Sequence, residues 1–152
     1  KDWDLRTNRM ATWIQAASDD SASLADAIQS GNAFFGDPYL LDSVSGDLDF
    51  TINGTPVTMG DVVPVNSGDS PRFKVRVNGA NSGDALVWLH NGEIVDLHLL
   101  SSSNKTAFKQ LTVNSGDWVR VEMRTAEDEI YLMSNPIYFV ARGDFIPDHR
   151  SM

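Results

Sequence analysis

Between residues 72 and 124 the chain twice uses the same short pattern. Phe73, Val75 and Val77 alternate with Arg72, Lys74 and Arg76, and Val119, Val121 and Met123 alternate with Arg120, Glu122 and Arg124. A period of two places every apolar member on one side of an extended backbone, so each run reads as a strand with one dry and one wet face. A dry face cannot be left in water, and it demands a second layer. Leu86–His90 and Ile94–Leu100 flank Asn91-Gly92, a pair that tolerates positive φ at both positions and so predicts a two-residue hairpin. Leu48–Asn53 followed by Gly54, then Thr106–Val113, Ile130–Ser134 and Ile137–Val140, bring the expectation to about eight strands after Tyr39. No helical period interrupts them. The expected fold class is therefore mainly β, an immunoglobulin-like antiparallel β-sandwich of two sheets packed face to face.

The first forty residues follow another pattern. Met10–Ala16 suits a strand, and Ser18-Asp19-Asp20-Ser21 offers side-chain oxygens for a helix N-cap. Leu24, Ala27 and Ile28 then fall at i, i+3 and i+4, and Gly31 is a natural stop. Ala33-Phe34-Phe35 is extended again, and Gly36-Asp37-Pro38 turns. This is the strand–helix–strand signature of an α/β unit, yet it is too short to make an α/β domain. The expected organisation is a strand–helix–strand segment over residues 1–38 and a β-sandwich over residues 39–152.

With 152 residues, 41% of them hydrophobic, the chain can build one compact core. Twelve Lys and Arg against 21 Asp and Glu leave a net charge of −9, which repels phosphate backbones and anionic headgroups. Neither nucleic acid nor a membrane surface is expected as a partner. The absence of Cys removes disulfides and thiolate metal sites. The start at Lys1, with no charged-then-apolar leader in Lys1–Leu5, suggests a processing point or a boundary. The compartment is left open, with an extracellular or periplasmic one favoured.

Motifs for chemistry are sparse. Asn-Ser-Gly-Asp occurs at Asn66–Asp69, Asn81–Asp84 and Asn114–Asp117, each time ahead of a strand, and seven of the eleven glycines precede Asp. Turn chemistry explains this: Gly supplies left-handed backbone and Asp or Asn bonds its own main chain. Calcium is the alternative reading of such oxygen-rich loops, but no D-x-D-x-[DN]-G loop closed by Glu is present. The three histidines, His90, His98 and His149, are not spaced as a ligand set, and there is no H-E-x-x-H, P-loop or G-x-S-x-G. Asp47 and Asp49 alternate onto one face of a strand and are candidate binding carboxylates, in a chain whose seventeen Asp make such pairs common. Trp118 lies out of phase with Val119, Val121 and Met123 and so faces away from the core, where it packs at the sheet edge or stacks on a sugar. Trp88 reads as core.

Two stretches resemble one family. Leu24–Pro38, a helix ending in Gly plus a polar residue before a short strand and Pro, is similar to the segment in which polymerase-and-histidinol-phosphatase (PHP) metallohydrolases of the carbaryl-hydrolase-like branch leave their catalytic barrel. Gly116-Asp117-Trp118-Val119-Arg120-Val121-Glu122-Met123-Arg124, followed by Ser134-Asn135-Pro136-Ile137-Tyr138, resembles the closing strands of the same proteins. The resemblance implies that residues 1–38 are the end of an upstream α/β barrel and the sandwich is its appendage. It implies divalent metals bound by an early H-x-H and further His, Asp and Glu, but only in that upstream catalytic domain. This chain has no H-x-H, and Asp2-Trp3-Asp4 carries Asp where the family's final D-x-H has His. No catalytic residue and no cofactor is therefore expected in this chain. The function expected is a non-catalytic C-terminal accessory domain of a PHP-type metal-dependent phosphoesterase, bordering the barrel that is its partner, with homo-oligomerisation through residues 10–38 where that barrel is absent. The alternatives are a carbohydrate- or surface-binding sandwich and, behind it, a standalone carboxylate-based hydrolase around Asp47 and Asp49.

Overall fold

The two alternating runs become the centres of two facing sheets. A computed structural model describes residues 11–38, 48–78, 80–101 and 104–144. Among these, four strands form one sheet in the order β4 (Thr55–Val57), β3 (Leu48–Ile52), β6 (Arg72–Asn78) and β9 (Asn104–Gln110), all antiparallel. The other sheet holds eight: β1 (Ala11–Ile14), β2 (Ala33–Gly36), β5 (Val62–Val65), β7 (Ala85–His90), β8 (Glu93–Leu99), β10 (Trp118–Arg124), β11 (Ile130–Ser134) and β12 (Ile137–Ala141). The mainly β, two-sheet sandwich is the class that the period of two predicts. Phe73, Val75 and Val77 face Val119, Val121 and Met123 across the interior, each at most 1% exposed. Phe73 meets Trp88 and Phe139 edge to face at 6.0 and 5.9 Å, so Trp88 is core, as expected.

β10 is the hub of the larger sheet. One edge pairs with β7, which continues to β8 through Asn91-Gly92, where φ is 52° and 90° as the predicted hairpin requires. The other edge pairs first with β12 and then with β11, because the last strand is broken at Asn135-Pro136. Proline cannot donate to a ladder, and at the break the Val121 N–H donates instead to the buried Ser134 Oγ at 3.0 Å. Beyond the break the partners diverge: β11 pairs with β2, while β12 pairs with β5.

Two differences from expectation have a common cause. Among the described residues, ten strands rather than about eight follow residue 39. The two extra, β4 and β5, carry Pro56 and Pro64, which argue against a strand unless it lies at an edge, and both lie at edges. β5 also pairs with β12 in parallel, so the larger sheet is not purely antiparallel. Between the β4 and β5 edges the sandwich is open, with a cleft of about 600 Å³ lined by Val57, Val63, Pro64 and Arg142.

The N-terminal segment has the elements its sequence predicts in a different arrangement. β1, α1 (Ser21–Gln29) and β2 follow in order, but β1 and β2 pair antiparallel, whereas an α/β unit pairs its strands in parallel. The helix is thus an excursion within a hairpin, and residues 11–36 share a sheet with β11. Asp20 caps the helix, accepting the N–H groups of Ala22 and Ser23 at 3.0 Å each. The Ser18 hydroxyl, with the Ser23 amide and hydroxyl, holds its carboxyl well below the usual range. Of the apolar stripe only Ala27 is buried; Leu24 and Ile28 are exposed.

The hairpin excursion is fastened at the strand break. Asn135 Nδ2 donates to the Gly31 carbonyl at 2.8 Å, and the Gly60 N–H donates to the Pro136 carbonyl at 2.9 Å. Gly60 sits against Gly31 at φ +86°, and a Cβ built there would lie 1.9 Å from the Ser30 carbonyl oxygen. Gly60→Ala should therefore cost upward of about 2 kcal/mol, from the left-handed backbone and the clash together, and lower the melting temperature by roughly 5 °C or more; calorimetry checks this. A second buried tie joins Tyr131, whose hydroxyl donates to Asp84 Oδ2 at 2.5 Å. Burial, and then the Asp84 carboxylate, push the phenol strongly upward, so it stays a donor. Tyr131→Phe should cost about 1–3 kcal/mol by leaving a buried acceptor short of a partner, read as a shift in denaturant midpoint.

Candidate functional site

The outward side chains of β6 are Arg72, Lys74 and Arg76, three cations in a row on one face. The register sets their neighbours. Asp49 lies opposite Arg76, and Thr51 and Phe108 lie on either side of Lys74. Asp49 is the expected binding carboxylate that the structure describes; Asp47 lies outside the described residues. Arg76 Nε and Nη2 both donate to Asp49 Oδ2, the former at 2.9 Å, in a pair that is about half exposed on each side. Asp49 is thus spoken for by a guanidinium, which is a poor arrangement for a hydrolytic base. Along the strand Arg72 lies over the half-exposed Phe108 ring, 4.6 Å from its centroid. Among the described residues Lys74 makes no ion pair.

Two concavities share this face and share Lys74. One, of about 370 Å³, runs over Asp49, Thr51, Thr58, Lys74 and Arg76 to Gln15. The other, of about 420 Å³, is bordered by Asn53, Arg72 and Phe108. The sequence signal was present in the Arg72, Lys74, Arg76 alternation, which reads equally well as an ordinary wet face. What the sequence does not reveal is the pairing that brings Asp49 and Phe108 to either flank.

The Asn-Ser-Gly-Asp turns, at 66–69 and 114–117 near one end of the sandwich and at 81–84 near the other, show what their carboxylates do. In each, the Asn N–H donates to the Asp Oδ2 at 2.8 Å and the Asp N–H returns a bond to the Asn carbonyl, over a Gly of positive φ. Thr58–Asp61 repeats the geometry without the motif. The turn reading accounts for these residues, and among the described residues no three His, Asp or Glu come together as a metal-holding group. Asn114 Oδ1 accepts from Ser67 Oγ and the Gly68 N–H, joining two of the turns.

Asp117 does more. It accepts Asn91 Nδ2 at 2.7 Å and lies 3.0 Å from His90 Nε2, clasping the hairpin to the 114–117 turn. Burial pushes its carboxyl up, but the bonds from Asn91, Asn114 and His90 outweigh that and hold it below the usual value. His98 lies opposite Leu86 and His90 opposite Glu93, so the two histidines are not brought together. Trp118 is half-buried on the outward face of β10, opposite Tyr138, with the Arg120 guanidinium 5.8 Å from its ring. Asp2, Asp4 and His149 lie outside the described residues.

No protein-family model matches the chain, and no curated protein matches it.

Since the Asp117 pKa is lowered by folding, its ionised form stabilises the fold. That contribution is complete above the ordinary value of 3.8 and is lost as the pH falls through the lower folded value. Asp117→Asn should cost about 1–2 kcal/mol at neutral pH and flatten the fall in stability below pH 4. Denaturant melts of both proteins between pH 2.5 and 7 check the sign.

Proposed function

We propose that this chain is a non-catalytic accessory domain that packs on, and borders, the barrel of a PHP-type metal-dependent phosphoesterase. The observation that carries the reading is the burial of β7 on both faces. Leu86 and Trp88 belong to the core, while Ala85, Val87 and Leu89 point to the opposite side of the sheet and form a separate buried cluster. A sheet with one face in water alternates; a strand apolar on both sides belongs between two layers. The neighbouring strand β8 extends this face with Ile94, Leu97 and Leu99, opposite Leu89, Val87 and Ala85 in the same sheet, and these are 56%, 52% and 67% exposed, an apolar surface with no layer over it among the described residues.

Other features support the same face. Glu122, 3% exposed, is held between Arg120 and Arg124 at 2.8 and 2.9 Å, and Arg124 also reaches Asp128. This ladder crosses the apolar surface with its charges already paired, so a covering layer would not have to strip water from a bare ion. Leu24 and Ile28 of the helix, and Phe35 of β2, add exposed apolar area in the N-terminal segment. A neighbouring domain of the same polypeptide is the partner this supports, with the divalent metals of the reaction held by that domain.

The reading frame preceding the codon for Lys1 is the direct test. An H-x-H motif within a barrel pattern supports the proposal, and a secretion signal immediately before Lys1 removes it, as does metal-dependent phosphatase turnover by this chain alone. The interface has its own test. In the isolated chain Leu97→Lys and Leu99→Lys should each change stability by less than about 0.5 kcal/mol, as exposed positions do. In the full-length protein the double variant should lower the unfolding temperature of the barrel, followed by calorimetry.

A further inference from the structure

We propose that the outer face of the four-stranded sheet binds an acidic sugar, with Lys74 receiving its carboxylate. The two surfaces lie on opposite sheets, so this site is independent of the docking face. Its charge is the first argument. In a chain of net charge −9, β6 alone turns three cations to one side, and the described part of that face holds a single carboxylate, Asp49. The state of each cation is the second. Arg76 is held by Asp49 and Arg72 lies over Phe108, while Lys74 between them pairs with no carboxylate among the described residues. One available ammonium at the meeting of two concavities defines a site for one negative charge.

The neighbours indicate what carries that charge. Thr51 beside Lys74 offers a neutral hydroxyl suited to those of a sugar, Thr58 and Gln15 along the larger concavity add the hydrogen-bonding capacity left over from their bonds to Asp61 and the Leu48 carbonyl, and the half-exposed Phe108 offers an apolar edge to a ring. Concavities of about 370 and 420 Å³ are the size that small ligands occupy, larger than an inorganic anion needs. A nucleic acid is a poorer fit. It presents a charge at every step and is held by several cations at once, whereas two of the three here are engaged. A sugar bearing one carboxylate among many hydroxyls has the sparse charge that this face and this overall charge accept.

The test is a ¹⁵N-correlation titration of the full chain at low salt with glucuronate, with a short uronate oligosaccharide, and with the neutral sugars of matching size. Shifts should be confined to the lining of the two concavities, with Thr51, Lys74 and Phe108 at their centre. Free acid and polymer are told apart by whether the oligosaccharide binds more tightly than the monomer. A charge-assisted contact is worth about a factor of ten or more, so Lys74→Gln should weaken binding by at least that factor, with the spectrum otherwise unchanged because the side chain is exposed. Lys109→Gln, on a different surface, should leave it unaltered. The proposal is overturned if no shift appears at millimolar acidic sugar, if neutral sugars bind equally well, if Lys74→Gln binds as the parent does, or if single-stranded DNA displaces the sugar and binds more tightly.

Discussion

The architecture turns on a strand that changes partners. At Asn135-Pro136 the ladder beside β10 is interrupted, and a proline without a donor makes the interruption unavoidable. Because Ser134 Oγ takes up the Val121 N–H, that donor is not stranded at the break. Each half of the strand is then free to recruit its own neighbour. The half before the break carries β2 and the N-terminal hairpin, and the half after it carries β5 in parallel. The Gly31–Gly60 contact needs Gly60 to have no side chain, and it draws the two recruited segments back to the same point.

This division gives the molecule two unlike outer surfaces on one shared core. Strand β7, apolar at every position from Ala85 to Leu89, makes one surface greasy, with charge admitted only as the paired ladder of Arg120, Glu122 and Arg124. Strand β6, strictly alternating, makes the other wet and basic. The contrast follows from two sequence textures, a continuous run and an alternating one, laid on neighbouring layers of the same sandwich.

Much of the fold was legible because its signals are local. Asn91-Gly92 names its own turn, and the valines at 75, 77, 119 and 121 declare which face is dry. Strands β4 and β5 were hidden by Pro56 and Pro64, since a proline in a short run reads as a turn until an edge position is known. The helix stripe was legible as a pattern but not as burial, because Leu24 and Ile28 have the right spacing without a layer beneath them. Asp49 was visible as a carboxylate on a strand face. Its engagement with Arg76, twenty-seven positions away, depends on the register of two strands that no local pattern specifies. Phe108 joined the same face for the same reason.

The two long sides of the sandwich are not mechanically alike. On one, Lys109 of β9 reaches across to Asp96 of β8 at 2.9 Å, linking an edge of each sheet. On the other, β4 and β5 stand apart around the open cleft. Sliding one layer past the other would have to part the ion pair on the first side and, at the cleft, to strain the Thr58–Asp61 turn that carries the chain from β4 to β5, so the stack is held at both margins, at the proline-bearing one by main chain instead of by charge.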